Sequence, residues 1–461
     1  MANLSNMFPA EVYALRREAL KSAVGSGLIL LPGNDESPIN CRGITYPFRQ
    51  DSTFLYYFGL DLPGLDALID IDNGREVLFG ADPGPVEMIW SGAQPSLAEL
   101  ARRVGVEQTA SPELLAADCA KAAADGRQLH ILTPYRGDHS LKLERLLGLD
   151  PGQVEAAVST ALIQAVVAQR SVKGQEEVEQ IEKALAVTRL MHLKAMDMIR
   201  PGVHEYEVVA AMQAVAYAQG GLWPAYTPIF SVQGHILHNP HHVNRMEAGQ
   251  MAINDTAAES PMRYASDITR TLPVSGRFTT RQKEIHDLVL QAQQAAIAAI
   301  RPGVAFRDIH LLAAGCLAQG LRDLGLLRGE VEELVSDGVH ALFFPHGLGH
   351  MLGLDTHDME SLGEDRVGYD SGIHRSGQFG LNALRLARTL QPGFVVTVEP
   401  GLYFIPALID QWRAEKRFIS QINYPALEAY RHFGGVRIED NVLVTSEGGR
   451  ILGPPIPATL P

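Results

Sequence analysis

The chain has 461 residues, of which 46% are hydrophobic and 20% charged, a composition typical of a folded globular protein with room for two domains. Its formal net charge of −14 argues against nucleic acid or an anionic membrane as the main partner. The three cysteines are widely spaced and form no CxxC pair, so neither a disulfide framework nor a thiolate zinc site is expected. The sequence has no long uncharged apolar run, so no membrane span is expected. The start of the chain has no signal-peptide pattern, so we expect a cytoplasmic protein.

The first part of the chain, residues 1–172, predicts a small α/β domain. Two strands joined by a tight turn are predicted from ALIDID, Asn73-Gly74 and REVLFG, which follow one another. A helix is predicted from the spacing of apolar residues in LAELARRV. The polar, glycine-containing stretch SVKGQ, from Ser171 to Gln175, is the expected boundary. We therefore predict a second domain over residues 173–461.

The second domain begins with a predicted long helix, because apolar residues recur at helical spacing from Val178 until Pro201-Gly202 ends the pattern. Two later blocks resemble each other: RPGVHEYEVVAAMQAVAYAQG from Arg200 and RPGVAFRDIHLLAAGCLAQG from Arg301. Each reads as a Pro-Gly turn followed by an amphipathic helix. Either similar helix-starting chemistry recurs by chance, or the two halves descend from a duplication.

Two aspartates lie in strand-like sequence around IND-T-AAESPMRYASDIT. A hairpin turning near Pro261 would place Asp255 and Asp267 opposite each other, about 5 Å apart, where like charges are destabilising unless a cation lies between them. The alternative is a pair of solvated aspartates on an exposed sheet face.

Two glutamates interrupt strands rich in β-branched residues, Glu399 in VVTVEPGLYF and Glu439 in GVRIEDNVLV. Pairing with Arg437 is an alternative explanation for Glu439. Four buried carboxylates carry a charge of about −4, which two divalent cations would balance, so the pattern favours a two-metal hydrolytic site.

Histidines cluster in HGLGHMLGLDTHD, where His346, His350 and His357 lie within twelve positions, with glycines that favour a tight loop over a helix. His238 lies in GHILHNPHH, which on its own is equally consistent with a surface cluster. HExxH, P-loop, GxGxxG and GxSxG motifs are absent from the sequence, which removes the usual zinc-protease helix, nucleotide cradles and serine-hydrolase elbow.

Together these segments resemble the proline-specific metallopeptidases of the pita-bread fold, aminopeptidase P and prolidase, which are relatives of methionine aminopeptidase. YPFRQDSTFLYYFGLDLPG is similar to the motif of the creatinase-type amino-terminal domain, and ILH, SDITRT, HGLGH-x-LGLD-x-HD, TVEPGLYF and GGVRIED follow in the family's order. The resemblance implies an α/β (α+β) protein with a creatinase-type domain at residues 1–172 and a pita-bread catalytic domain at residues 173–461.

The resemblance also implies a dinuclear metal site. Asp255, Asp267 and Glu439 would hold the first ion, and Asp267, Glu439, His350 and Glu399 the second. Since the ligands are mostly hard oxygens, manganese is the expected metal, with cobalt or zinc as substitutes. The ions would activate a water molecule and polarise the scissile carbonyl. The sequence departs from the family at the first ligand. The family usually has Asp-Ala-Gly or Asp-Met-Gly there, whereas this chain has Asp255-Thr256-Ala257.

The remaining implied roles concern catalysis and substrate. Glu399 would shuttle the proton, and His238 and His357 would stabilise the tetrahedral intermediate or grip the substrate. The substrate-binding side chains would be His346, Tyr226, Arg385 and Arg437, the arginines near the free carboxylate of a dipeptide. A solvated helix charge is the alternative for Arg385.

The implied substrates are small peptides with proline in second position, and the implied assembly is a homodimer. An Xaa–Pro bond has no N–H group that an enzyme could bind. A two-metal site does not need this N–H, because it binds the carbonyl oxygen. The long stretch between Glu399 and Glu439 and the segment LRLARTLQPG favour an Xaa-Pro dipeptidase. An aminopeptidase P acting on longer peptides is the alternative, and a non-catalytic pita-bread binding module is a remote one.

Overall fold

The computed structural model describes residues 7–220 and 225–459, so the amino-terminal sequence searched for a signal peptide lies partly outside the described residues. The chain is mixed α/β, as predicted. It divides into two compact units, Met1–Arg170 with Met359–Arg366, and Ser171–Asp358 with Val367–Pro461. The domain limits at residues 172 and 173 stay a prediction.

The first unit carries the elements α1 to α8 and β1 to β7. Its helices are α1 (Ala10–Val24), α2 (Ser52–Phe58), α3 (Pro85–Ser91), α4 (Leu97–Arg103), α5 (Glu113–Ala124), α6 (Gly137–Leu147), α7 (Pro151–Ala156) and α8 (Thr160–Ser171), the last ending at the limit of the unit. Its strands are β1 (Leu28–Pro32), β2 (Pro38–Cys41), β3 (Ile44–Thr45), β4 (Asp66–Asp70), β5 (Arg75–Phe79), β6 (Gln108–Ala110) and β7 (Leu129–His130).

A mixed sheet with the strand order β6-β5-β4-β1-β7 forms the core of this unit. The predicted hairpin is confirmed, because β4 and β5 pair antiparallel with Asp70 opposite Arg75. Gly74 closes the turn at φ 65°, a conformation that glycine adopts without steric cost. The apolar face of the sheet packs against α5 and α6, burying Leu30, Leu68, Phe79, Leu115 and Leu143.

The second unit carries most of the remaining elements. Its helices are α9 (Gln175–Met198), α10 (Glu205–Ala218), α11 (Thr280–Ala299), α12 (Phe306–Asp323), α13 (Val331–Ser336), α14 (Glu364–Val367, across the limit between the units), α15 (Pro406–Ala414) and α16 (Tyr424–Leu427). Short 3₁₀ turns occupy Val339–Leu342, Glu360–Leu362 (in the first unit), Leu381–Ala383 and Glu428–Tyr430. Its strands are β8 (Ile229–Ser231), β9 (Met251–Asp255), β10 (Thr269–Pro273), β11 (Val395–Val398), β12 (Gly401–Tyr403), β13 (Gly435–Arg437), β14 (Asp440–Val444) and β15 (Gly449–Ile451).

Two helix pairs precede the strands that carry the site. Helix α9 packs on α10 ahead of β8 to β10, and α11 packs on α12 ahead of β11. The predicted helix after SVKGQ is confirmed. It ends at Met198, and the Pro-Gly turn that follows has Gly202 at φ 95°. The recurring order agrees with the sequence echo, while the duplication itself stays a hypothesis. Within the described residues, every helix is too short or too polar to cross a bilayer.

The register of the hairpin β9–β10 corrects one expectation. Asp255 lies opposite Thr269, so Asp267 stands two positions before the directly opposed residue. The register is continued by Glu259 opposite Ala265, and Ser260 N–H donates to Tyr264 O at 2.7 Å. The prediction that the two aspartates face each other was therefore wrong by two positions, which leaves them as diagonal neighbours on one face.

Two strand pairs bring the glutamates together although they are far apart in sequence. Val398 pairs with Asp440 at the end of β11, and Gly401 pairs with Arg437 at the start of β12. Glu399 and Glu439 therefore lie where the two antiparallel pairs meet. Glu439 N–H also donates to Thr269 O at 3.1 Å, which places β10 beside this junction.

Candidate active site

One cavity of about 450 Å³ in the second unit gathers the side chains that the sequence singled out. All the predicted site residues line it: Tyr226, His238, Asp255, Asp267, His346, His350, His357, Arg385, Glu399, Arg437 and Glu439. The first and last of these lie more than 200 positions apart in sequence, so the convergence is produced by the fold.

The centre of the cavity is a group of ligand atoms from Asp267, His350 and Glu439. One ligand atom of each lies within 4.8 Å of the others, and all three residues are buried. The His350 Nε2 atom is 3.3 Å from Asp267 Oδ2 and 3.5 Å from Glu399 Oε1. Asp267 and Glu399 therefore both approach the same imidazole nitrogen.

The orientation of His350 follows from its backbone surroundings. Its N–H donates to Thr397 Oγ1 at 3.0 Å, and its Nδ1 is 3.0 Å from Met351 O. Because a carbonyl oxygen only accepts, Nδ1 donates to it, and Nε2 is the ring nitrogen directed at the carboxylates. Gly349 permits the approach to the strand, since a Cβ there would lie 2.1 Å from Thr397 O.

Tyr226 joins the two aspartates. Its hydroxyl contacts Asp255 Oδ1 and lies 2.5 Å from Asp267 Oδ1. Burial raises the pKa of Tyr226 well above its usual value, and the neighbouring carboxylates raise it further, so the phenol keeps its proton. One proton is thus shared between two diagonal carboxylates.

Arg437 pairs with Asp255 and does not pair with Glu439. Its Nη2 lies 2.6 Å from Asp255 Oδ2, and its Nε donates to Thr269 Oγ1 at 3.2 Å. The same Thr269 hydroxyl donates to Glu439 Oε2 at 2.7 Å. The alternative that Arg437 neutralises Glu439 was therefore wrong.

The buried carboxylates repel one another. Burial raises the pKa of Asp267 well above its usual value, and the nearby Asp255 raises it further. Burial and the charge of Asp267 raise the pKa of Glu439 likewise, and burial and Glu439 do the same for Glu399. The alternative of solvated aspartates on an open sheet was wrong, because Asp255 and Asp267 are only 8% and 5% exposed.

The donor set fits divalent cations. Glu439 Oε1 is buried and has no hydrogen-bond partner among the described residues, so a lone pair is left for a ligand. Three of the four carboxylates lack the guanidinium that Asp255 has, which leaves a charge of about −3 when all are ionised. A single divalent ion would leave this cluster negative, so the charge favours two ions held mainly by oxygen.

A second network lies beside the metal ligands. His346 Nδ1 is 2.8 Å from Gly347 O, so it carries the proton, and Nε2 accepts from the Tyr403 hydroxyl at 2.9 Å. Arg437 Nη1 in turn donates to that hydroxyl at 2.9 Å. Burial, with the positive charge of Arg437, lowers the pKa of His346 to about 3. The sequence reasoning missed Tyr403, although it lies four positions after Glu399 in the quoted TVEPGLYF segment.

The opposite side of His350 carries His357 and Arg385. The His350 and His357 rings are 4.3 Å apart between centroids at an angle of 73°. Arg385 Nη1 donates to His357 Nδ1 at 2.9 Å, so the His357 proton is on Nε2. Arg385 follows the 3₁₀ turn Leu381–Ala383, so the alternative of a solvated helix charge was wrong. His238 is more exposed than these residues and lines the same cavity.

This arrangement is that of a candidate carboxylate-rich metal centre of the hydrolytic kind, and comparisons with known proteins agree with it. Residues 179–446 match Metallopeptidase family M24, and residues 13–131 match the Aminopeptidase P, N-terminal domain. The human Xaa-Pro dipeptidase is 32% identical over 98% of this chain and 92% of its own length. A protein of Aspergillus niger named "Probable Xaa-Pro aminopeptidase" is 32% identical over 96% of this chain and 94% of its own.

Solved structures give the same result. The Escherichia coli aminopeptidase P with the inhibitor Pro-Leu superposes with a TM-score of 0.78 at 28% identity, covering 97% of this chain and 95% of that one. The chain belongs to metallopeptidase family M24. The expectations of a creatinase-type amino-terminal domain and a pita-bread metallopeptidase domain are thereby confirmed.

Proposed function

We propose that this chain is a two-metal peptidase that hydrolyses Xaa-Pro bonds, and specifically an Xaa-Pro dipeptidase. Relatives along nearly its whole length are named Xaa-Pro dipeptidase and Xaa-Pro aminopeptidase. The observation that carries the dipeptidase assignment is the position of Arg385. This guanidinium lines the same cavity as the carboxylate cluster, next to His357, where it suits the free carboxylate of a two-residue substrate.

The metal-holding residues are proposed to be Asp255, Asp267, His350, Glu399 and Glu439, with Asp267 and Glu439 shared between the ions. Manganese is the proposed metal because four of these five ligands are carboxylates, and cobalt or zinc would substitute. When bound, the ions polarise the scissile carbonyl and lower the pKa of the attacking water. A cation also reverses the effect of burial on these carboxyl groups, holding them ionised.

Proton transfer is assigned to Glu399. Its Oε1 accepts from Thr397 Oγ1 at 3.1 Å, so the carboxylate is fixed while its other oxygen is available. We propose that Glu399 takes a proton from the attacking water and returns it to the proline nitrogen. His357, with its proton on Nε2, would donate to the developing oxyanion, and His238 would bind the substrate from the other wall.

The proline ring is assigned to the wall formed by His346 and Tyr226. Burial keeps the His346 ring neutral, which suits contact with an apolar pyrrolidine. Arg385 would bind the terminal carboxylate. Arg437 was expected near the same carboxylate; its hydrogen bonds go to Asp255, Tyr403 and Thr269, so we propose that it serves the substrate by holding these groups in place.

The test uses the full-length protein stripped with a chelator and reloaded with manganese. Hydrolysis of Ala-Pro is compared with hydrolysis of longer Ala-Pro-Yaa peptides. Preference for the dipeptide, by at least tenfold in kcat/KM, is the expected result. Preference for the longer peptides would overturn the dipeptidase assignment in favour of an aminopeptidase P, which the E. coli relatives favour. Cleavage of neither, with metal bound, would overturn Xaa-Pro hydrolysis.

Four further properties are proposed on the family resemblance and composition. These are a homodimeric assembly, a cytoplasmic location, no nucleic-acid or membrane partner, and a division into domains at residues 172 and 173. Size-exclusion chromatography with light scattering tests the first of them.

A further inference from the structure

A buried ion pair lies at the end of the loop that carries His357, and its residues are not among those assigned to the metal or the substrate. Lys173 Nζ is 2.9 Å from Asp358 Oδ2, and both side chains are only 1% exposed. Removing two charges from water costs several kcal/mol per ion, which mutual attraction repays only in part. A fully buried pair is therefore weak evidence for stability, and its position in the fold is the more informative property.

Asp358 closes the loop that separates two site histidines. The loop Met351–Asp358 starts directly after His350 and ends directly after His357. Asp358 N–H donates to Met351 O at 2.9 Å, and Asp358 Oδ1 accepts from Asp355 N–H at 3.3 Å. The carboxylate therefore organises the return half of the loop, which is the half that carries His357.

Lys173 connects this loop to the strand that leads to Glu399. The Lys173 N–H donates to Gly393 O at 2.8 Å, two positions before β11 begins. The outgoing half of the loop is attached to the same strand by its backbone, because Leu352 N–H donates to Val395 O at 3.0 Å. The return half is attached to that strand region through the side chain of Lys173.

The backbone is packed tightly against the pair. A Cβ at Gly353 would lie 2.4 Å from Asp358 Oδ2 and 3.0 Å from Lys173 Cε. Gly353 O also accepts from Ala265 N–H at 2.8 Å, so the loop cannot move away without losing a hydrogen bond to the segment that carries Asp267. The loop backbone at Gly353 thus lies directly against the pair, with no room for a side chain between them.

We propose that Lys173 and Asp358 are a positioning pair for His357. They hold its ring 4.3 Å from the His350 ring, and they place its Nδ1 where Arg385 donates to it. The pair touches neither metal nor substrate, and it acts by fixing the Nε2 proton of His357 toward the cavity. The kinetic part of this inference rests on the proposed function, whereas the geometric part does not.

The test replaces the pair by apolar residues, Lys173→Met with Asp358→Leu, in the manganese-loaded full-length protein. Exchange of a buried ion pair for packed hydrophobic residues is commonly tolerated by the fold. We expect a 10- to 100-fold lower kcat/KM on the preferred Xaa-Pro substrate, with manganese affinity within threefold. We also expect a crystal structure in which the His350–His357 centroid distance exceeds 4.3 Å by at least 0.5 Å.

A double-mutant comparison separates positioning from general destabilisation. In a His357→Ala background the same pair exchange is expected to change kcat/KM by less than threefold, because its effect passes through His357. The control is the exposed pair Arg450–Glu182, 2.7 Å apart. Replacing Arg450 by methionine together with Glu182 by glutamine is expected to leave kcat/KM within threefold of the unmodified protein.

Several outcomes would overturn the proposal: an unchanged ring distance, activity within threefold of the unmodified protein, or a loss that adds in full to that of His357→Ala. If the unmodified protein cleaves no Xaa-Pro peptide, the proposed function fails and the ring distance alone decides the positioning. If the double exchange does not fold, Gly353→Ala displaces the Asp358 carboxylate while keeping both charges, and the same measurements apply.

Discussion

The guanidinium of Arg437 lies 2.6 Å from the carboxylate of Asp255, deep in the cavity that holds three further carboxylates. Burial and mutual repulsion raise the pKa values of the three further carboxylates, Asp267, Glu399 and Glu439. Asp255 therefore has a guanidinium partner within the protein, and we expect the other three carboxylates to be neutralised by bound cations.

Replacing Asp267 by alanine is expected to abolish both metal binding and peptidase activity. Asp267 is one of the three residues whose ligand atoms converge, so its removal leaves too few oxygens for two ions. We expect manganese affinity to fall at least about 100-fold, measured by calorimetry, and Ala-Pro hydrolysis to fall at least about 1000-fold. The exposed Asp197→Ala is the control. Full peptidase activity without bound metal would refute the two-metal hypothesis.

Replacing Tyr226 by phenylalanine tests the shared proton between the aspartates. The hydroxyl donates to Asp255 and Asp267, and its loss removes the donor while keeping the ring. Loss of a partner of a metal ligand typically costs about 10- to 100-fold in activity or affinity, and we expect kcat to fall by that amount. Tyr206→Phe, at an exposed tyrosine, is the matched control. Unchanged kinetics would mean that the hydroxyl is dispensable.

Replacing Arg385 by methionine tests the carboxylate-binding role. A charge-assisted hydrogen bond contributes about 1.5–3 kcal/mol, so kcat/KM for Ala-Pro is expected to fall about 10- to 100-fold. Ala-prolinamide has no C-terminal carboxylate, so its hydrolysis is expected to fall less than that of Ala-Pro and to lose only the part of the effect that passes through His357. Equal losses for both substrates would show that Arg385 acts through His357 and not on the carboxylate.

Buried neutral histidines predict a pH dependence of stability. The ring nitrogens of the buried His310 have no hydrogen-bond partner among the described residues. Burial lowers the pKa of His310 to about 3 and that of His340 to about 4. The unfolded chain, with histidine pKa values near 6.5, binds more protons below that pH. Stability is therefore fully present above about pH 6.5 and is lost as the pH falls toward these folded-state values.

The measurement compares urea unfolding at pH 7.5 and pH 5 for the unmodified protein and His310→Phe. Removing one such histidine is expected to reduce the difference in unfolding free energy between these two pH values by about 2 kcal/mol. Titration of the carboxylates is common to both proteins and cancels in the comparison. His374→Phe, at an exposed histidine, is expected to have no effect on this difference. An identical pH dependence for all three would contradict the assignment.

The sequence allowed prediction of the site residues better than of their contacts. Strand-breaking Glu399 and Glu439 and the HGLGH loop stand out because a carboxylate or a pair of glycines is unfavourable in such sequence unless a site requires it. The partner of Arg437 was missed because local sequence offers Glu439 two positions away, whereas the actual partner, Asp255, is brought in by the packing of β9 beside β13.

The register of Asp255 and Asp267 was missed for a related reason. The midpoint of the two positions suggested a symmetric turn at Pro261, but the turn contains Arg263 at φ 69° and shifts the pairing by two residues. The hydrophobic pattern of a sequence does not determine the backbone conformation of an irregular turn. Likewise, nothing local indicated that Lys173 in the boundary stretch SVKGQ would reach Asp358.

The antiparallel pairing of Tyr403 with Gly435 closes the segment 404–434 into a loop whose two ends are adjacent. The segment begins after β12 and ends before β13. Because these two strands are paired, the length of the segment does not set the distance between Glu399 and Glu439. The segment is not a free surface loop, because Ile409, Trp412 and Ile422 within it are buried. Its contribution to the site is therefore indirect, because the strand pair that it joins, and not the segment itself, positions Glu399 and Glu439.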